Sequence, residues 1–114
     1  MKINIKNPPR KFKCGMQNQI EVSDCGEVYL ENNEQLTFYT KTNKEYDVAI
    51  KEWGFYATPS INGRLKDQGF KTALVKNSAN RYYVMLVDTD KIPAFNRYLD
   101  SENQTLIEWL DERK

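Results

Sequence analysis

From Ile3 to Val87 the apolar residues of this 114-residue chain recur mainly two apart, and the helical patterns built on spacings of three and four lie from about Pro93 onward. A period of two sends alternate side chains to opposite faces of a strand, whereas three and four stack side chains on one face of a helix. Strands first and helices last exclude the alternating pattern of a parallel sheet. They predict an α+β fold: a mainly antiparallel, curved β-sheet of six to eight strands with one or two C-terminal helices packed on it. A chain of this length buries roughly 65% of the surface its unfolded form exposes, so one α+β domain over residues 1–114 is expected.

The segments can be placed by their turn residues. Lys2 to Lys6 alternates as a short strand that ends at Pro8-Pro9, and Arg10, Lys11 and Lys13 then make a basic loop. Ile20 and Val22, then Val28 and Leu30, read as a hairpin turning at Asp24-Cys25-Gly26. Leu36, Phe38 and Thr40 alternate after Asn32-Asn33, and the longest strand candidate runs from Glu45 through Ala57. Phe70 to Val75 and Arg81 to Val87 follow; the unbroken apolarity of "RYYVMLV" predicts a central strand covered on both faces. Pro93 suits the first turn of a helix whose buried face is Ile92, Phe95, Tyr98 and Leu99. Ser101 and Gln104 have the spacing of a capping box, so a second helix with Leu106, Ile107, Trp109 and Leu110 buried is expected.

Within Glu45–Ala57 the phase changes. Tyr46, Val48 and Ile50 occupy even positions; Trp53, Phe55 and Ala57 occupy odd ones. A β-bulge near Lys51-Glu52 would put both sets on one face. Two readings of the following stretch stay open. In one, Trp53 and Phe55 anchor the core and Ser60 to Arg64 form a solvent turn. In the other, Trp53, Tyr56, Asn62 and Arg64 form a ligand-binding set, ring faces covering C–H surface while Asn and Arg bond hydroxyls or phosphates.

The chain contains no His, which removes the commonest base near neutral pH, the usual partner of a Ser or Cys nucleophile and the usual zinc ligand. GxxxxGK[ST], GxGxxG, paired CxxC, GxSxG and HExxH are all absent. Cys25 follows Asp24, whose negative charge disfavours a thiolate, and no spacing singles out a carboxylate pair. No catalytic residue, metal or cofactor is expected on these grounds. Seventeen basic and sixteen acidic residues leave a net charge of +1, which disfavours nucleic acid as a partner. No run approaches 18 consecutive apolar residues, and the two cysteines suit a reducing compartment; a cytoplasmic protein without a membrane partner is the expectation.

The string "WGFYATPSINGRL", continued by "GFKTALVKN" and "YYVMLVD", resembles small uncharacterised bacterial proteins, some encoded beside enzymes of surface-polysaccharide or lipopolysaccharide biosynthesis. The resemblance covers roughly Tyr46 to Leu110. It implies a context and transfers no catalytic residues. The expected function is a non-catalytic accessory or binding domain linked to polysaccharide or nucleotide-sugar metabolism, taking a sugar-type small molecule or a partner protein. A small metal-independent enzyme acting on a sugar or nucleotide-sugar through carboxylates or Tyr is the first alternative. The second is a structural protein that acts as a homo-oligomer through an exposed sheet edge.

Overall fold

Five asparagines, Asn18, Asn33, Asn43, Asn80 and Asn103, hold φ between 51° and 67°, and each sits in a connection between successive elements. Asn is the residue after Gly that best tolerates this left-handed conformation. The computed structural model describes all 114 residues. They form β1 (Lys2–Cys14), β2 (Ile20–Tyr29), β3 (Gln35–Tyr39), β4 (Glu45–Lys51), β5 (Gly54–Ala57), α1 (Arg64–Asp67), β6 (Phe70–Lys76), β7 (Tyr82–Asp88), α2 (Ile92–Ser101) and β8 (Thr105–Trp109). The class is α+β, as the strand and helix periods predict. The eight strands are divided among three separate antiparallel sheets instead of one curved sheet: β1-β2, β3-β4-β5 and β7-β6-β8. No helix is long and apolar enough to cross a membrane. The chain divides into two compact units, Met1–Thr58 and Pro59–Lys114.

In the first unit β1 and β2 make a long two-stranded arm. β1 does not stop at Pro8-Pro9: its register runs from Lys2↔Tyr29 to Ile5↔Gly26, shifts, and resumes from Arg10↔Asp24 to Cys14↔Ile20. The prolines occupy the irregularity, where the ladder needs no donor from them. Arg10, Lys11 and Lys13 are therefore strand residues and not a loop. β2 likewise runs straight through Asp24-Cys25-Gly26, the expected turn. A Cβ at Gly26 would collide with the Asn4 carbonyl oxygen, so this glycine marks a close strand approach.

The phase change between β4 and β5 has a different origin from the expected bulge. Lys51 pairs with Gly54, leaving Glu52-Trp53 as a two-residue hairpin loop, and Ile50 then faces Phe55 while Val48 faces Ala57. Reversing the chain brings even and odd positions to the same face. Together with Leu36 and Phe38 of β3, paired to Val48 and Tyr46, these residues make one face of the sheet apolar. Asp47 and Ala49 point the other way and are buried. Asp47 is thus not the solvent-facing residue that its charge suggests.

The second unit packs α2 on the β7-β6-β8 sheet. Ala73, Val75, Val87 and Leu99 form the buried cluster, and Met85, Ile92, Phe95 and Trp109 pack around it. Each large side chain buried there is worth about 1.5–3 kcal/mol. The central strand is β6, buried at Phe70, Thr72, Ala73 and Val75; β7 lies at an edge, with Tyr82, Tyr83 and Val84 exposed. The two lysines of "FKTALVK" make it look less buried than "RYYVMLV", but Lys71 is neutralised by Asp111 and Glu112.

The second helix is also corrected: Thr105–Trp109 is strand β8, antiparallel to β6. A Schellman motif ends α2, with the Gln104 N–H donating to the Leu99 carbonyl at 2.9 Å and the Asn103 N–H to the Asp100 carbonyl at 3.3 Å. Asn103, at φ 54°, is the left-handed residue that the motif requires. The Ser101 hydroxyl caps nothing ahead of it and donates instead to the Tyr98 carbonyl.

Candidate functional site

Gly54, at φ 141°, closes the β4–β5 loop, taking a positive φ that neither Glu52 nor Trp53 adopts. No atom lies within 4 Å of where a Cβ would stand, so backbone conformation and not crowding calls for glycine. The loop holds Trp53 away from the sheet at 71% exposure, and Phe55 on β5 is 77% exposed. These rings are not core anchors. Tyr56 lies on the face opposite Phe55, and its ring centroid is 6.2 Å from that of Trp53 at an interplanar angle of 43°. That is the tilted geometry favoured by aromatic quadrupoles. Of the four sequence-predicted contact residues, the fold brings these two together.

Asn62 and Arg64 belong to the second unit, where both are exposed. Arg64 opens α1, and its backbone N–H donates to the Ser60 hydroxyl at 3.1 Å, while the Leu65 N–H donates to the Ser60 carbonyl at 3.1 Å. A Cβ on Gly63 would strike the Ser60 hydroxyl. The Ser60–Gly63 segment is therefore an ordered local turn, with Leu65 buried behind it.

Three tyrosines, three carboxylates and Lys71 are shifted away from neutrality. A hydrogen bond from Tyr39 to Glu45 raises the Tyr39 pKa, a hydrogen bond to Glu27 raises that of Tyr29, and burial raises that of Tyr46. Carboxylates move down: Asp24 through its hydrogen bond from Lys6, and Glu34 through the Glu31 N–H. At Asp111 burial opposes ionisation, but the Thr72 N–H at 2.8 Å and Lys71 Nζ at 3.0 Å outweigh it and hold the carboxyl below its ordinary value. Lys71 also reaches Glu112 at 2.7 Å and lies 4.9 Å from the centre of the Trp109 ring. The group fastens the C-terminal turn to β6.

Both cysteines are free thiols; Cys25 Sγ donates to the Ser23 carbonyl at 3.5 Å. No group of three or more Cys, Asp or Glu side chains is arranged to hold a metal ion. A cleft of about 250 Å³ opens at the root of the arm between Met1, Lys2, Tyr29, Leu30 and Glu31, lined by none of the four predicted contact residues. The largest feature that sequence reasoning missed is the open apolar face of β3-β4-β5. Its signal was present in the alternation of Leu36, Phe38, Tyr46, Val48 and Ile50, which reads equally as core. No protein-family model, curated protein or solved structure matches this chain.

Proposed function

We propose that the protein is a non-catalytic binding module whose recognition element is the β4–β5 aromatic hairpin, and that its counterpart is a protein. The observation that carries this reading is the exposure of Trp53 beside Tyr56 on a tight loop. Trp and Tyr are the residues most often found as energetic anchors of interfaces, and their few torsions lose little entropy on contact. A projecting loop suits insertion into a partner's cavity better than enclosure of a small sugar, whose sites are concave. Asn62 and Arg64, exposed on the second unit, are tested as a separate pair. With the context implied by the sequence resemblance, the counterpart is an enzyme of surface-polysaccharide or nucleotide-sugar metabolism.

Trp53→Ala and Tyr56→Ala test the reading. Both should leave the unfolding free energy within about 0.5 kcal/mol of the parent, as exposed substitutions do. Both should abolish capture of a protein that the parent retains from cell extract. A thermal-shift screen with sugars and nucleotide-sugars should stay flat. A selective shift that Trp53→Ala removes would replace the protein counterpart with a sugar, and sustained turnover of any metabolite would overturn the non-catalytic reading altogether.

A further inference from the structure

The first unit leaves two apolar faces in water. One belongs to the arm, where cross-strand pairing puts Ile3 beside Val28 and Ile5 opposite Gly26 at one end and Phe12 beside Val22 at the other, with the Arg10–Asp24 ion pair between them and Arg10 4.8 Å from the centre of the Phe12 ring. Ile3, Ile5, Phe12 and Val28 are between 38% and 78% exposed. The other is the β3-β4-β5 face, where Phe38 is 54% exposed and Phe55 more so. A two-stranded ribbon is marginal in water without a covering layer, and β1, with 13 residues at about 3.3 Å each, is long for one.

We propose that the occupant of each face is a second copy of this chain: the arm of one protomer lies on the β3-β4-β5 face of its partner, reciprocally, about a two-fold axis. Area selects this arrangement. With 150–250 Å² for an aromatic side chain and somewhat less for Ile or Val, each face offers roughly 300–400 Å². One face is about half of the ~800 Å² per partner that stable interfaces bury. A protomer that contributes both its arm and its sheet reaches that figure, whereas arm-on-arm or sheet-on-sheet contact does not. Charge excludes the simplest edge pairing. β1 carries Lys2, Lys6, Arg10, Lys11 and Lys13 with no acidic residue, so two β1 edges placed side by side would oppose like charges. A reciprocal contact closes as a dimer and leaves no open-ended repeat.

The assembly is independent of the Trp53–Tyr56 contact, and its test uses other residues. The parent chain should give twice the monomer mass by light scattering over a dilution series. Ile5→Lys, on the arm, and Phe55→Lys, on the sheet, should each weaken the dimer roughly 10- to 100-fold, as loss of an interface anchor does, with circular dichroism unchanged. An equimolar mixture of the two variants should associate more tightly than either variant alone but less tightly than the parent, because one of the two arm-on-sheet contacts, the Phe55→Lys arm on the Ile5→Lys sheet, is intact while the other carries both substitutions. A monomeric parent at every concentration would overturn the proposal, as would a dimer that either variant leaves untouched or a mixture that recovers nothing.

Discussion

Asp111→Ala offers the most quantitative test of the reasoning about the second unit. The Asp111 side chain is only 1% exposed and serves two donors, the Thr72 N–H and Lys71 Nζ. Truncation leaves a buried backbone donor unpaired, at about 1–3 kcal/mol. Lys71 is a quarter exposed and keeps Glu112, so loss of its second carboxylate adds only about 1 kcal/mol. The total, about 3 kcal/mol, corresponds to a midpoint drop of about 12 °C for a chain of this size. Asp111→Asn keeps an oxygen for the Thr72 N–H and should cost only about 1 kcal/mol. Trp53→Phe provides the background for the assay, because it removes an exposed indole and leaves Trp109, beneath Lys71, as the sole tryptophan reporter. Urea unfolding followed by its fluorescence reads both variants. The pH dependence has a definite sign: the folded carboxyl has a lowered pKa, so its stabilisation is complete above the unfolded value near 3.9 and is lost as pH falls through the lower folded value. Lys71, raised chiefly by Glu112, contributes fully below its unfolded pKa and is lost only as pH rises through the higher folded one. The advantage over Asp111→Asn should thus be flat at neutral pH and shrink below about pH 4. An Asp111→Ala protein within about 0.5 kcal/mol of its background, or an Asn variant as damaged as the Ala variant, would refute the account of the buried donor.

Substitutions at two further positions probe the second unit. Thr72 is fully buried and its hydroxyl oxygen has no hydrogen-bond partner, so Thr72→Val should raise stability by about 1 kcal/mol in urea unfolding. Asn103 holds the left-handed corner after α2; Asn103→Ala should cost about 1 kcal/mol in the same assay, while Asn103→Gly should be close to neutral.

Periodicity made the α+β class legible because β3, β4 and α2 carry clear alternating or helical patterns. It failed where two structures share one pattern. Leu106, Ile107, Trp109 and Leu110 suit a helix, yet they also suit a strand with the register irregularity between Leu74 and Val75 of β6, and Asn103 decided the matter as a stop signal. Proline misled at β1, since a ladder interruption tolerates Pro8-Pro9 as readily as a strand end does. The aromatic cluster was legible as residues but not as an environment. Trp53 and Phe55 are typical core residues by type, and only the Lys51↔Gly54 pairing turns the first out into a loop. Long-range partners such as Lys71 and Asp111, forty residues apart, leave no local trace in the sequence.

The arm segregates its charges by strand. β1 is wholly basic among its ionised side chains and β2, with Glu21, Asp24 and Glu27, wholly acidic; Lys6 meets Asp24 at 2.6 Å and Lys11 meets Glu21 at 3.7 Å. Cohesion between these strands therefore depends on ionic strength to a degree that the β6 sheet, fastened by buried aliphatic groups, does not share. Added salt acts as a selective softener, loosening the ribbon's register while the helix-covered sheet keeps its protection against hydrogen exchange.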